Sequence, residues 1–453
     1  MLTSTAPKPP VRKLALYMLC RLETTGAFVD QLIASITAAR GLSSQARAFL
    51  RELTYGVLRW RNRLDWLLAH YSDRPLETLT PEVRNLLRLG AYQLCMMDRM
   101  PSYAAVSETV GLAKQVGHVG IAAFVNAVLR SLERKRASLA LPRPDDDLIS
   151  HLTITQSHPY WLVERWLARH GPQHTTAICH ANNSLPPLVV RANRLRTTSE
   201  GLMDALSAEG CQVERCRFAP DGVLLLSHPP LDRLRCYVEG RFTVQDEAAI
   251  LCGYLLDPQP GERLLDACAA PGGKATHAVE VMGDTGEVVC LEQSRPRLGL
   301  VAENGRRLHL GSLQCRVGDA RTVKFDQPFD RILVDAPCSG LGVLRRHPDA
   351  KWRKGPELIK TMAGQQIAIL HHVSRFLKPG GTLVYVTCST EPEENQQVIQ
   401  TFLTAHPEYQ VVTAAEYLPS AARIFAEAGG WFQTWPGPED LDGFFGARLR
   451  RRA

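Results

Sequence analysis

The chain has 453 residues, 45% of them hydrophobic, with 53 Lys and Arg against 46 Asp and Glu, which is material for more than one domain with a sizeable core. The opening MLTSTAPKPPVRK is polar and proline-rich, and no apolar run approaches the roughly 20 residues that span a bilayer, so the sequence predicts a soluble, cytoplasmic protein that is neither secreted nor membrane-embedded. The 12 cysteines form no CxxC pair and no His/Cys cluster at zinc spacing, which argues against a disulfide framework and predicts no metal.

Residues 1–137 carry 19 Lys and Arg against 10 Asp and Glu, whereas the remainder carries 34 against 36, so the basic excess sits in the first third. A basic region joined to a nearly neutral one suits a polyanion held by the first and worked on by the second. The basic third predicts an all-α bundle. VRKLALYMLCRLE, SSQARAFLRELTYGVLRWRNRLDWLLAHY, TPEVRNLLRLGAYQLCMM and AAFVNAVLRSLERKR repeat apolar residues at three- and four-residue spacing, with Ser43 or Ser44 and Thr80-Pro81 as start signals. Arg51, Arg59, Arg61 and Arg63 lie close to Tyr55 and Trp60, a mixture suited to gripping phosphates and stacking on bases, or equally to a bundle core with solvated arginines.

A connector over 138–185 opens with LPRPDDD and turns helical around YWLVERWLARHG. Residues 186–243 read strand, helix, strand and predict a small α+β unit. From 244 to 453 strands and helices alternate, with RLLDA, EVVCLE, LQCRVGD, RILVDA and GTLVYVTC as strands, which predicts a mainly parallel, doubly wound α/β sheet. Such sheets bind ligands at the carboxyl ends of their strands.

The first strand-to-helix turn, DACAAPGGK, is built of small residues that let backbone approach a ligand at a helix N-terminus. It is not GxGxxG. The next strand ends on Glu292, 19 positions beyond Gly273, where an acid suits the hydroxyls of a ribose. The third is followed by Asp319, which alone would read as a turn former and beside Glu292 reads as an adenine contact. The fourth and fifth strands each finish on a thiol, Cys338 and Cys388. A cysteine is most often a small core hydrophobe, but two at neighbouring ligand-facing edges suit nucleophilic chemistry.

DACAAPGGK, VDAPCSGLGVLRRHPDAKW, YVTCSTEPEENQQVI and DGFFGARLRR, in that order over about 186–450, resemble successive motifs of the Nol1/Nop2/Sun family of RNA cytosine-C5 methyltransferases, and the N-terminal bundle resembles the RNA-binding NusB domain. The resemblance implies a Rossmann-like class I methyltransferase sheet that uses S-adenosyl-L-methionine. It assigns Cys268, Ala269, Ala270, Pro271, Gly272, Gly273 and Lys274 to the methionine side of that cofactor, Glu292 to its ribose, and Asp319 and Asp335 to the adenine and reaction side. Many relatives carry Asp where Glu292 stands; the acceptors are the same. The resemblance makes Cys388 the nucleophile that adds to cytosine C6, Cys338 the thiol that assists product release, and Asp335 the group that meets the base's N3 and amino edge. Spacing alone does not choose between the two thiols. The implied partner is small-subunit (16S) ribosomal RNA, naked or early in assembly, acted on by a monomer.

His347 and Lys351 in RRHPDAKW suit contacts to RNA phosphate or an extruded base, with Trp352 beneath, or a purely structural loop. The terminal GARLRRRA reads as a frayed basic end. An amino-directed nucleic-acid methyltransferase would carry Asp/Asn-Pro-Pro-aromatic after the fourth strand, where this chain has Asp335, Ala336, Pro337 and Cys338. A non-catalytic RNA-binding factor would need no thiols at two strand ends. A family member acting on transfer RNA is opposed by the N-terminal domain alone.

Overall fold

A computed structural model describes residues 11–136 and 139–453. The opening ten residues and the 137/138 boundary lie outside them. The described chain divides into two compact units, one of residues 1–184 with 344–353, the other of 185–343 with 354–453.

The first unit is all helix: α1 (Val11–Thr25), α2 (Val29–Arg40), α3 (Ser44–Arg59), α4 (Arg61–Ala69), α5 (Pro81–Met96), α6 (Ser102–Val116), α7 (Val119–Lys135), α8 (Leu148–Thr155) and α9 (Tyr160–Ala181). The helical spacing is realised as buried stripes. In α1, Leu14, Met18 and Leu22 recur every four residues and are lost to solvent, each such side chain contributing about 2 kcal/mol of transfer free energy. Ser43 caps α3 by accepting from the Ala46 amide, and Thr80 caps α5 with Pro81 at the first helical position. At Gly171, whose φ of 72° is left-handed, and the following Pro172, α9 breaks its own ladder and kinks.

The arginine and aromatic cluster resolves toward structure. Tyr55 is buried, its phenol bonded to Asp30, so it offers no face to a base. Arg59 is buried and donates to the Arg345 carbonyl (2.9 Å). The segment Leu344–Arg353, which local patterning places in the α/β half, belongs to this helical unit. Lys351 is buried there, its ammonium 2.7 Å from Asn183 Oδ1 and 3.3 Å from the Ser157 carbonyl, and Trp352 donates its indole N–H to the Leu58 carbonyl (2.6 Å). Lys351 is thus structural, and Trp352 packs as expected beneath the loop. Periodicity cannot reveal this, because both acquire their partners from distant parts of the chain. His347 remains half exposed, with Nδ1 3.0 Å from Asp30.

The second unit holds two sheets. The smaller comprises β1 (Leu188–Ala192), β2 (Gln212–Arg215), β3 (Gly222–Ser227) and β4 (Phe242–Val244), all antiparallel in the order β2-β3-β1-β4, with α10 (Ser199–Ala208) packed on it and the short α11 (Arg235–Val238) before β4. Val190, Leu202, Leu206, Val223 and Phe242 form its core.

The larger sheet follows α12 (Glu247–Tyr254). It takes β5 (Arg263–Asp266), α13 (Gly273–Val281), β6 (Glu287–Glu292), α14 (Arg295–Leu308), β7 (Leu313–Val317) and β8 (Phe329–Asp335); after α15 (Ala350–Arg353), within the segment assigned to the helical unit, come α16 (Pro356–Val373), β9 (Leu377–Thr387), α17 (Gln396–Ala405), β10 (Tyr409–Val412), β11 (Phe432–Gln433) and β12 (Phe445–Arg451). The order is β10-β12-β9-β8-β5-β6-β7, parallel from β9 to β7, with β12 antiparallel between β9 and β10. The chain runs outward from β5 to β7 and returns to β8, so the topological switch lies between β5 and β8.

The terminal basic run is therefore an interior strand. Phe445, Ala447 and Leu449 alternate into the core while Arg448, buried on the other face, donates to the Leu255 and Leu256 carbonyls. The period-2 alternation was legible beneath the arginines. Among the described residues no helix is long and apolar enough to cross a membrane.

Candidate active site

At the switch point the carboxyl ends of β5 to β9 surround a cleft of about 340 Å³, a size in the range of small-molecule sites. The β5–α13 turn forms its floor. Gly272 sits at φ 106°, and a Cβ there would come within 3.3 Å of Val301 on α14, so the turn is drawn tightly against the neighbouring helix only because residue 272 has no side chain. Its position is fixed from behind: Arg191 of β1, fully buried, donates to the Gly273 carbonyl (2.7 Å) and pairs with Glu280 of α13 (2.7 Å). The smaller sheet is thus bolted to the turn on which a ligand would rest.

Of the residues expected in the site, Cys268, Ala270, Glu292, Asp319, Asp335, Cys338 and Cys388 all line the cleft. Ala269, Pro271, Gly272, Gly273 and Lys274 shape the turn without reaching its wall. Glu292 ends β6 nearly buried, accepts the Ser294 amide (2.9 Å), and lies 3.4 Å from Arg297, which also donates to the Ala270 carbonyl (3.1 Å). Asp319, just past β7, is paired with Arg321 (2.6 Å), which holds its carboxyl below the usual range. Lys274 is no surface lysine. It is buried and its ammonium lies 2.6 Å from Asp335 Oδ2; burial works against its charge, and Asp335 more than offsets that, leaving the group firmly protonated.

Cys338 and Cys388 come into contact, Sγ to Sγ 3.3 Å. Asp335 and Val386 are register partners on the parallel strands β8 and β9, so the loops leaving the two strands start side by side. Gly342 locks them: its amide donates to the Cys388 carbonyl (3.0 Å), and a Cβ on it would strike the Gly443 carbonyl at 2.0 Å. Electrostatically the thiols differ. Cys388 is held below the ordinary thiol range, first by its hydrogen bond with Cys338 and then, against burial and Asp335, by the ammonium groups of Lys354 and Lys274. Cys338 is pushed well above that range by the same hydrogen bond, by burial and by the charges of Cys388 and Glu394. The two titrate as a pair, with Cys388 the more readily ionised of the two.

Four contributors were not singled out from sequence. Asp266, at the end of β5, is buried and pushed up to about 7 by burial and by Asp335. It stands first in DACAAPGGK, so the motif held the signal. Glu394 and Gln366 bond to the cysteine loops from beneath; the former lies inside TEPEEN, the latter in an unremarkable helix. Lys354 donates to the Ser339 carbonyl, and nothing in RKGPE announces that.

Family models match the chain in three places: the NusB family over 9–134, the ferredoxin-like domain of RsmF/B-like methyltransferases over 158–232, and 16S rRNA methyltransferase RsmB/F over 253–450. A probable ribosomal RNA small subunit methyltransferase B of Bacillus subtilis is 38% identical over 452 residues, covering 98% of this chain and 99% of that protein. The chain belongs to the ribosomal RNA small subunit methyltransferase B family. A second member, from Klebsiella pneumoniae, is 37% identical over 414 residues, covering 91% of each chain. A crystal structure of a methyltransferase homologue from Pyrococcus horikoshii superposes with a TM-score of 0.57 at 25% identity, over 67% of this chain and 99% of that one. By family the chain is a 16S rRNA methyltransferase, and the ferredoxin-like match takes in β1 to β3 of the smaller sheet.

Proposed function

We propose that this chain, acting as a cytoplasmic monomer on naked or early-assembly small-subunit ribosomal RNA, methylates carbon 5 of a cytosine through a covalent bond between Cys388 and C6. The observation that carries the reading is the pair of thiols in contact at adjacent strand ends, opening on a cleft that also holds Glu292, Asp319 and Asp335. S-adenosyl-L-methionine suits this cleft: two carboxylates on successive strand ends would accept ribose and adenine donors, and the close turn from Cys268 to Lys274 would bear the methionine part. Bound there it would supply an electrophilic methyl group.

Cytosine C5 is a poor nucleophile, and the protein's task is to change that. The Cys388 thiolate adds to C6, breaking the C5–C6 double bond and leaving C5 with enamine character. In this reading Asp335, held by Lys274, takes the amino and N3 edge of the base as C6 is attacked. Once C5 carries the new methyl, its proton passes to a water molecule in the cleft acting as base. The departing electron pair re-forms the double bond and expels Cys388 as thiolate. Cys338, its sulfur 3.3 Å from that of Cys388, is the adjacent thiol that assists this release by hydrogen-bonding the departing sulfur.

The test compares two variants on 16S RNA with S-adenosylmethionine present. Cys388→Ala should make no 5-methylcytidine and no covalent complex, whereas Cys338→Ala should accumulate a protein–RNA adduct stable to denaturing electrophoresis. An adduct from Cys388→Ala would reverse the roles, and methyl found on the exocyclic amine would overturn the reading altogether.

A further inference from the structure

Beneath the two thiols lies a carboxylate that the reaction described above does not use. Glu394, in the turn after β9, is wholly buried. Its Oε1 accepts the Ser339 amide (2.6 Å) and the Gln366 side-chain amide (3.2 Å), and its Oε2 accepts the hydroxyls of both Ser339 and Ser389. Those serines directly follow Cys338 and Cys388. Their hydroxyls are 3.1 Å from each other. Gln366 extends the grip to the Pro337 carbonyl (2.9 Å), and Asn395 donates to the Ser389 carbonyl (2.9 Å) while accepting from Thr387 (2.6 Å).

Burying a carboxylate is costly unless every lone pair is met. Here both oxygens are met, by donors drawn from the two cysteine loops and the helix behind them. Burial raises the Glu394 carboxyl above its ordinary range, and the hydrogen bonds from Ser339, Ser389 and Gln366 work the other way, favouring its charged form.

We propose that Glu394 is a positioning residue for the two-thiol reaction, one buried carboxylate that ties the residue after Cys338 to the residue after Cys388 and thereby sets the contact and the division of labour between the thiols. Its charge bears on Cys338, where it opposes ionisation after the hydrogen bond with Cys388 and burial. The same group that fixes the geometry thereby favours the protonated form of the thiol that assists release. The proposal rests on the two-thiol reading of the site.

Glu394→Gln preserves volume and removes the charge; Glu394→Asp keeps the charge one methylene short. With S-adenosylmethionine binding and melting temperature as controls for folding, Glu394→Gln should lower kcat by about 10- to 100-fold with KM for RNA changed less than about twofold. Without RNA, competitive iodoacetamide labelling at neutral pH, read peptide by peptide, should favour Cys388 over Cys338 in the native enzyme and fall toward parity in Glu394→Gln. Glu394→Asp should recover part of both. If Glu394→Gln does not fold, the Ser339→Ala/Ser389→Ala double variant removes two of the ties and should lower kcat in the same direction, by about 10-fold. Unchanged kcat and unchanged labelling preference in a folded variant would overturn the role of Glu394. An active Cys388→Ala enzyme would instead overturn the two-thiol reading, and the RNA-free labelling keeps the two failures apart.

Discussion

The ends of β8 and β9 are near twins in sequence and opposites in chemistry. Each is an apolar run closing on a cysteine followed by a serine, and their thiols touch. Yet Cys388 is drawn below the thiol range, first by its hydrogen bond with Cys338 and then, against burial and Asp335, by Lys354 and Lys274, whereas Cys338 is driven above it by the same bond, by burial and by Cys388 and Glu394. Residue type, burial and strand position are alike, so they do not decide reactivity. What does is the hydrogen bond between the two sulfurs, biased by the charges around each, which act strongly in a buried site of low effective dielectric.

That contrast breaks most severely at Lys274 and Asp335, whose charges oppose one another at Cys388. Lys274→Met removes an ammonium that favours the Cys388 thiolate, and Asp335→Asn removes a carboxylate that opposes it. Both should cost about 100-fold in turnover, since one leaves Asp335 unheld and the other strips the charge from the group meeting the base. Their thiols should move in opposite directions: the alkylation midpoint of Cys388 should rise with pH in Lys274→Met and fall in Asp335→Asn. Peptide-resolved labelling across a pH series checks this, and parallel shifts would show that the carboxylate acts on Cys388 only through its lysine.

A smaller effect is expected at Lys354, which bears on the thiol without touching Asp335. It reaches the cysteine pair through the Ser339 carbonyl. Lys354→Met should raise the Cys388 midpoint and lower kcat by about 5-fold, with S-adenosylmethionine affinity unchanged. A loss as large as that of Lys274→Met would mean that the hydrogen bond to the loop, rather than the charge, is what matters there.

What the sequence disclosed follows the same division. Strand ends, the order of the α/β elements and the residues that line the cleft were legible because period, turn chemistry and motif order are local properties. Glu292, Asp319, Asp335, Cys338 and Cys388 each sit where a strand stops. Of the two readings of Lys351, a phosphate contact or a structural loop, the structural one holds, and sequence could not choose it because its partners, Ser157 and Asn183, lie some 170 to 190 residues away, beyond any local pattern. The frayed basic tail became a core strand for a related reason. Its arginines are solvated in isolation, and only the sheet supplies the carbonyls that make burying Arg448 affordable. Asymmetry between the thiols was illegible for the same cause: Lys354 and Glu394 meet the cysteines only once β8 and β9 pair.

The gentlest probe concerns Asp266, which shares its surroundings with the thiols and shows how far the field of Asp335 extends. Its carboxyl is pushed up to about 7 by burial first and by Asp335 second, from an ordinary value of 3.8. The folded state therefore binds this proton more tightly than the unfolded chain, and between about pH 4 and pH 7 folding stability from this group falls as pH rises. Above that window the cost is fully present; below it the cost vanishes. Asp266→Asn stays neutral throughout and can still accept the Cys268 amide. The variant should gain on the native protein as pH rises, with the difference widening by on the order of 1–2 kcal/mol between about pH 5.5 and 8.5 in urea-unfolding midpoints. A constant difference across that range would mean that Asp266 is already ionised in the fold, and that Lys274 neutralises the whole strand-end cluster rather than Asp335 alone.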